Sequence, residues 1–129
     1  MEDCIFCKII KGEIPSNKVY EDEDILAFYD INPAAPIHIL IIPKQHIDCI
    51  AHLSKEDETL IGKIYSVINQ IAEEKGFKEQ GFRVIVNSGE DGGQEVMHLH
   101  FHILAGRKIG EKIVKNTING GNKNVWKEI

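Results

Sequence analysis

At 129 residues the chain has the size of one domain, and a composition 43% hydrophobic and 27% charged excludes a low-complexity, disordered or fibrous protein. A formal charge of -5 excludes the basic surface that non-specific nucleic-acid binding requires, and no apolar run approaches the roughly 20 residues of a membrane span. The acidic N-terminus lacks a secretory pattern, so the three cysteines are expected to be free or metal-bound thiols in a soluble, cytoplasmic protein.

In chain order, Ile5 and Ile9 with Phe6 mark a short helix over Cys4 to Lys11 that Gly12 stops, with Cys4 and Cys7 on one turn. Lys18 to Tyr20 and Ile25 to Tyr29 read as paired strands about the acidic turn Glu21 to Asp24. Prolines at both ends of Asn32 to Pro36 exclude regular structure there. Ile37 to Ile42 is a buried strand interrupted by His38 and closed by Pro43.

Ser54 and Asp57 cap a long amphipathic helix with apolar positions Leu60, Ile61, Ile64, Tyr65, Ile68 and Ile71, ending near Gly76. Periodicity leaves open whether that face packs within the chain or against a second copy. Phe82 to Val86 is a fourth strand, with Asn87 at its end, and Met97 to Leu104 a fifth. The order predicts an α+β meander rather than a βαβ repeat. Lys108 to Lys115 has weak helical character, and Trp126 in the tail has no evident partner.

The fifth strand carries the chemistry. In an extended chain His98, His100 and His102 share one face while Leu99, Phe101 and Ile103 share the other. Gly89, Gly92, Gly93 and Gly106 bracket this run and allow backbone N–H groups to approach an anion. Alternating imidazoles suit either of two chemistries: neutral nitrogens on zinc, or phosphate binding with nucleophilic and acid–base catalysis. Cys4 and Cys7, taken with His46 and His98, make four N/S donors of the kind a closed tetrahedral zinc site uses; the alternative is two thiols packed as small apolar side chains. Cys49 and His52 fit neither pattern and are read as structural or exposed.

The run HLHFHIL from His98 resembles the His-φ-His-φ-His-φ-φ motif of the histidine triad (HIT) superfamily of nucleotidyl hydrolases and transferases. IFCKIIKGEIP, LAFYDINPAAPIHILIIPKQHI and VNSGEDGGQEVMHLHFHILAGR extend the likeness to the Hint branch, the nucleoside phosphoramidases, over about Asp3 to Arg107. The resemblance implies a single HIT domain over 1–129, with 108–129 a divergent tail. Its fold would be a five-stranded antiparallel sheet with one long and one short helix, pairing into a homodimer.

The implied reaction hydrolyses a purine nucleoside 5'-phosphoramidate through a nucleotidyl-histidine, with no metal in the chemistry and any zinc structural. His100 would be the nucleophile and His102 the contact to phosphate and leaving group. His38 and His98 would orient and relay protons, although His38 also reads as a buried histidine satisfied by hydrogen bonds. Asn87 and the Gly93 loop would hold phosphate and Asp30 the ribose, with Ile5, Phe6 and Ile31 forming the base slot.

Two departures stand out. Glu95 occupies a position near the leaving group where familiar phosphoramidases carry serine. The Trp-Pro-Pro-Gly ending of Hint proteins is absent, so Trp126 is not equated with its tryptophan. Rival readings are a dinucleoside polyphosphate hydrolase of the fragile histidine triad type, or a nucleotide-binding module with an idle triad.

Overall fold

The computed structural model describes residues 3–110. The features expected of 111–129, Trp126 among them, lie outside the described residues. The first helix, α1 (Ile5–Ile10), starts where the Cys4 Sγ accepts the Cys7 N–H at 3.2 Å and ends at Lys11, ahead of Gly12 at φ +82°. Strands β1 (Lys18–Glu21) and β2 (Ile25–Tyr29) follow, and Asp22 Oδ1 closes their turn by accepting the N–H groups of Asp24 and Ile25 at 2.7 and 2.9 Å. Strand β3 (Ile37–Pro43) is the buried apolar run expected there.

Ser54 opens the long helix as predicted, its N–H donating to Asp57 Oδ2 at 2.9 Å. The first turn is 3₁₀ over Lys55–Asp57, and α2 (Glu58–Glu74) continues from it. Strands β4 (Arg83–Val86) and β5 (Phe101–Ala105) complete one antiparallel sheet in the order β1-β2-β3-β5-β4. The architecture is therefore the expected α+β one, five antiparallel strands with one long and one short helix. No described helix is long and apolar enough to cross a membrane.

The fifth strand is shorter than the sequence implies, beginning at Phe101 rather than Met97. The last ladder pair between β3 and β5 is Ile41 with Phe101, and the next stretch of β3 runs into Pro43, which has no N–H to give. Residues 98–100 leave the ladder, and the Leu99 N–H donates instead to Ile47 O at 2.6 Å. Alternation survives the loss of strand geometry. Leu99, Phe101 and Ile103 are buried in the core between sheet and α2, and His100 and His102 line a cleft on the α1 side.

The two faces of the sheet carry two cores. Ile25, Ala27, Ile39 and Ile41 pack with Ile64, Val67, Ile68 and Ile71 of α2, while Leu26, Phe28, Leu40 and Ile42 pack with Phe6 and Ile9 of α1. Of the apolar stripe of α2, left open by the sequence between core and partner, Ile64, Ile68 and Ile71 are covered by the chain's own sheet, while Leu60 and Ile61 are half-buried and Tyr65 is exposed. Ile68, at the centre of the stripe, is 2% exposed. Ile68→Ala should lower the unfolding free energy by about 2–5 kcal/mol in urea titrations while leaving the KM of any substrate unchanged, because the cavity opens on the face away from the cleft.

Candidate active site

The second face of the sheet forms a cleft of about 350 Å³ between α1, β2, β3, the ends of β4 and β5, and the glycine loop. Its lining brings together nine of the residues that the sequence singled out: Ile5, Phe6, Asp30, Ile31, Asn87, Gly93, Glu95, His100 and His102. They come from five separate stretches of chain, and β-sheet register accounts for the centre. Leu40 of β3 and Ile85 of β4 pair with His102 on either side, so all three share the cleft face.

Hydrogen bonds fix the state of each imidazole. His100 is 7% exposed and its Nδ1–H donates to His98 O at 2.7 Å, which in the neutral ring puts the lone pair on Nε2. Across from it, the Ala34 N–H donates to His38 Nδ1 at 3.0 Å, so the His38 proton sits on Nε2 and is donated to His102 Nδ1 at 2.9 Å. His102 must therefore carry its own proton on Nε2. The irregular Asn32 to Pro36 loop is what supplies the Ala34 N–H, and Asp30 Oδ2 lies 3.4 Å from His38 Nε2.

Burial pushes the His38 imidazolium below its ordinary range, against the pull of the Asp30 carboxylate. Burial, reinforced by His100 and His38, lowers His102 to about 4. Both rings are thus neutral at pH 7, as the donor chain requires.

His98 stands apart from that chain. Its ring, fully buried, donates from Nε2 to Pro43 O at 2.8 Å and turns Nδ1 to the Sγ atoms of Cys4 and Cys7 at 3.3 and 3.6 Å. The expected proton relay by His98 with His38 has no support in these contacts. What His98 gives the cleft is its carbonyl oxygen. Gly93 lines the cleft as expected of its loop, and its own N–H donates to Glu90 O at 3.0 Å.

Cys4, Cys7, His46 and His98 converge, their ligand atoms all within 4.8 Å of one another. His46 Nε2 donates to Asp48 Oδ1 at 2.8 Å and presents Nδ1 to Cys7 Sγ at 3.3 Å. Both imidazoles therefore aim an unprotonated Nδ1 at the thiols, held by an outer acceptor as in metal-binding histidines. Ligand separations of 3.3–3.6 Å match the ~3.6 Å edge of a zinc tetrahedron with bonds of about 2.0–2.3 Å. The residues fit zinc. Cys49 is buried and outside this cluster, and the exposed His52 lies 3.6 Å from Asp48.

Several cleft residues were not anticipated. Ile9, Ile14, Ser16, Phe28, Leu40 and Val96 also line the cleft. Ile9 sits four residues after Ile5 on α1, and this helical spacing was the available signal. Gln94 was missed as well: its Oε1 accepts the Gly89 N–H at 2.8 Å, and its Nε2 donates to Asp48 O and Val96 O at 2.7 and 2.9 Å. That amide closes the glycine loop and ties it to the segment carrying His46.

The sequence profile of the HIT domain matches residues 11–109. This chain belongs to the HIT family. It is 49% identical over 109 residues to the purine nucleoside phosphoramidase of Escherichia coli K12, covering 84% of this chain and 92% of the relative. A histidine triad protein from Clostridium difficile superposes with a TM-score of 0.85 at 57% identity, over 87% of this chain and 97% of that one. A HIT family hydrolase from Legionella pneumophila gives 0.82 at 46% identity, over 84% and 96%.

The depressed His102 pKa makes stability pH-dependent. The unfolded chain binds a proton near the ordinary histidine value of 6.5, whereas the folded chain binds it only near 4, so protonation favours unfolding between those values. The unfolding free energy should fall as pH drops from about 6.5 to about 4 and level off, for this group, below that. His102→Asn should flatten the decline in urea titrations run across that range.

Proposed function

We propose that this HIT-family hydrolase cleaves the phosphorus–nitrogen bond of purine nucleoside 5'-phosphoramidates through a nucleotidyl-His100 intermediate. The observation that carries the reading is the fixed tautomer of His100. A neutral imidazole with Nδ1–H anchored on His98 O presents its Nε2 lone pair in the cleft, ready to attack an α-phosphorus without prior proton loss. His102 Nε2–H, oriented through His38, donates to the phosphate oxygens and to the departing nitrogen. A proton reaches the amine in the first step and one is recovered from the attacking water in the second, so none is consumed overall. Positioned acid–base groups of this kind contribute ~10²–10⁴-fold.

Asn87 would hold phosphate, and Asp30, at the mouth beside the 90% exposed Ile31, would accept from ribose hydroxyls. Asp30 Oδ1 accepts the Asn32 N–H at 2.8 Å, which orients the carboxylate. Ile5 and Phe6 would flank the base. Glu95 would favour an amine leaving group over a polyphosphate one, since the residue lines the same cleft as the reacting histidines and a carboxylate there repels an anion.

Zinc on Cys4, Cys7, His46 and His98 would be structural, a closed four-ligand site that pins α1 to the sheet. Pairing of two copies is supported by β4, whose outer edge has no strand beside it among the described residues, and by Tyr65 on α2, 47% exposed.

AMP release from adenosine 5'-phosphoramidate and from a diadenosine polyphosphate tests the reading. The phosphoramidate should be the faster substrate, and His100→Ala should reduce kcat by a factor on the order of 10³ or more. Glu95→Gln should narrow the preference by raising turnover of the polyphosphate. Faster turnover of the polyphosphate by the native protein would favour the rival hydrolase, and AMP binding without release from either compound the binding module.

Zinc is tested by metal analysis of the purified protein, which should carry about one ion per chain, lost in Cys7→Ser. Burial and the Cys4 hydrogen bond push the metal-free Cys7 thiol up to about 11, so the ion must displace its proton. Uptake should therefore weaken as pH falls. A protein that takes up no zinc at neutral or alkaline pH would overturn the assignment.

A further inference from the structure

The apolar end of the cleft contains one polar atom with nothing to do. Ser16 lines the cleft beside Ile14 and Pro15, on the segment that follows α1, and Ile14 packs against the cluster of Phe6, Ile9 and Phe28. Its Oγ is buried and has no hydrogen-bond partner among the described residues, where it is the one side-chain atom in that condition. A buried hydroxyl left unpaired is destabilising, and folded proteins rarely keep one without a use for it. The other cleft residues at this end, Ile5, Phe6, Ile9, Ile14 and Phe28, offer side-chain surface without hydrogen-bonding groups.

We propose that Ser16 reads the nucleobase, its hydroxyl donating to a ring nitrogen of a bound purine. This rests on the nucleotide reading above and adds to it a specificity-determining residue. The chemistry of the slot favours it. An aromatic base entering an apolar slot loses water from its in-plane nitrogens, and a hydroxyl donor in the wall replaces that water for one of them. Serine side chains move between staggered rotamers about 120° apart, so Oγ can turn toward a ligand without a change in the backbone. Among the described residues of the free protein the hydroxyl has no partner, and in the complex it would be satisfied. The stabilisation thus appears only with ligand bound, as expected of a recognition group and not of a structural one.

Ser16→Ala separates these states, because the two readouts move in opposite directions. Removing an unpaired buried hydroxyl should leave the melting temperature of the free protein unchanged or raised by a few degrees. AMP binding, measured by calorimetry, should weaken about 3- to 10-fold, as should KM for adenosine 5'-phosphoramidate at unchanged kcat.

The 1-, 3- and 7-deaza analogues of AMP then identify the nitrogen. One of them should bind the native protein as weakly as AMP binds Ser16→Ala, and should lose nothing further in that variant. Equal AMP affinity in native protein and Ser16→Ala, or a melting temperature lowered by the substitution, overturns the assignment of Ser16 alone. Failure of the native protein both to bind AMP and to release it from the phosphoramidate overturns the nucleotide reading itself, and this inference with it.

Discussion

The hydrogen bond from His100 Nδ1 to the carbonyl oxygen of His98 ties the chemistry of this molecule to its backbone. Its 2.7 Å length sets the tautomer of His100 and leaves a single ring nitrogen with a lone pair. The bond is local, joining residues two apart, yet it depends on distant groups. The carbonyl stays in place because the His98 ring is buried and held at both nitrogens, by Pro43 O on one side and two thiols on the other. Residues 98–100 have left the β-ladder, so these side-chain contacts and the Leu99 N–H to Ile47 O bond replace the strand pairing that ends at Phe101.

His98 consequently joins two sites that the sequence presents as one motif. Its ring belongs to the cysteine cluster and its peptide group to the cleft. Helix α1 repeats the arrangement: Cys4 and Cys7 face the cluster, and Ile5, Phe6 and Ile9 line the cleft. Phe6 packs edge-on against both rings, 5.9 Å from His98 and 5.1 Å from His100. A six-residue helix has little stability of its own. Its position therefore depends on the packing of Phe6 and Ile9 beneath it and on the thiols at its start, and the shape of the cleft wall depends on both.

Much of this was legible in the order of residue types. The alternation from Leu99 to Ile103 separates core from cleft because side chains in extended backbone alternate whether or not the ladder continues. Ser54 with Asp57, the Pro43 stop and the Gly12 and Gly76 ends are local rules that tertiary structure did not override. The resemblance to the histidine triad family supplied the roles assigned to the site residues. What local pattern did not carry was direction. The Ala34 N–H that fixes His38 comes from a loop without regular structure, and the acceptors that turn His46 and His98 toward the thiols, Asp48 and Pro43 O, are placed by the fold. Within the glycine-rich loop, closure through Glu90 O uses the Gly93 N–H, a pairing that composition alone does not predict.

Loop closure also bears on Glu95, one of the two departures from the resemblance. Gln94 engages both amide protons and its carbonyl oxygen in backbone contacts, and Gly92 leaves no room for a side chain, since a Cβ there would lie 2.6 Å from Ser88 O. With its neighbour fastened on three sides, Glu95 has little freedom to leave the cleft by a backbone shift. Glu95 itself is exposed and lines the cleft, so under the proposed reaction its charge would weigh against a leaving group that departs as an anion. In the proposed reaction, amine and polyphosphate substrates would present the same nucleotidyl half to His100 and His102. Discrimination between them would then fall to the leaving-group side of the cleft, which Glu95 lines.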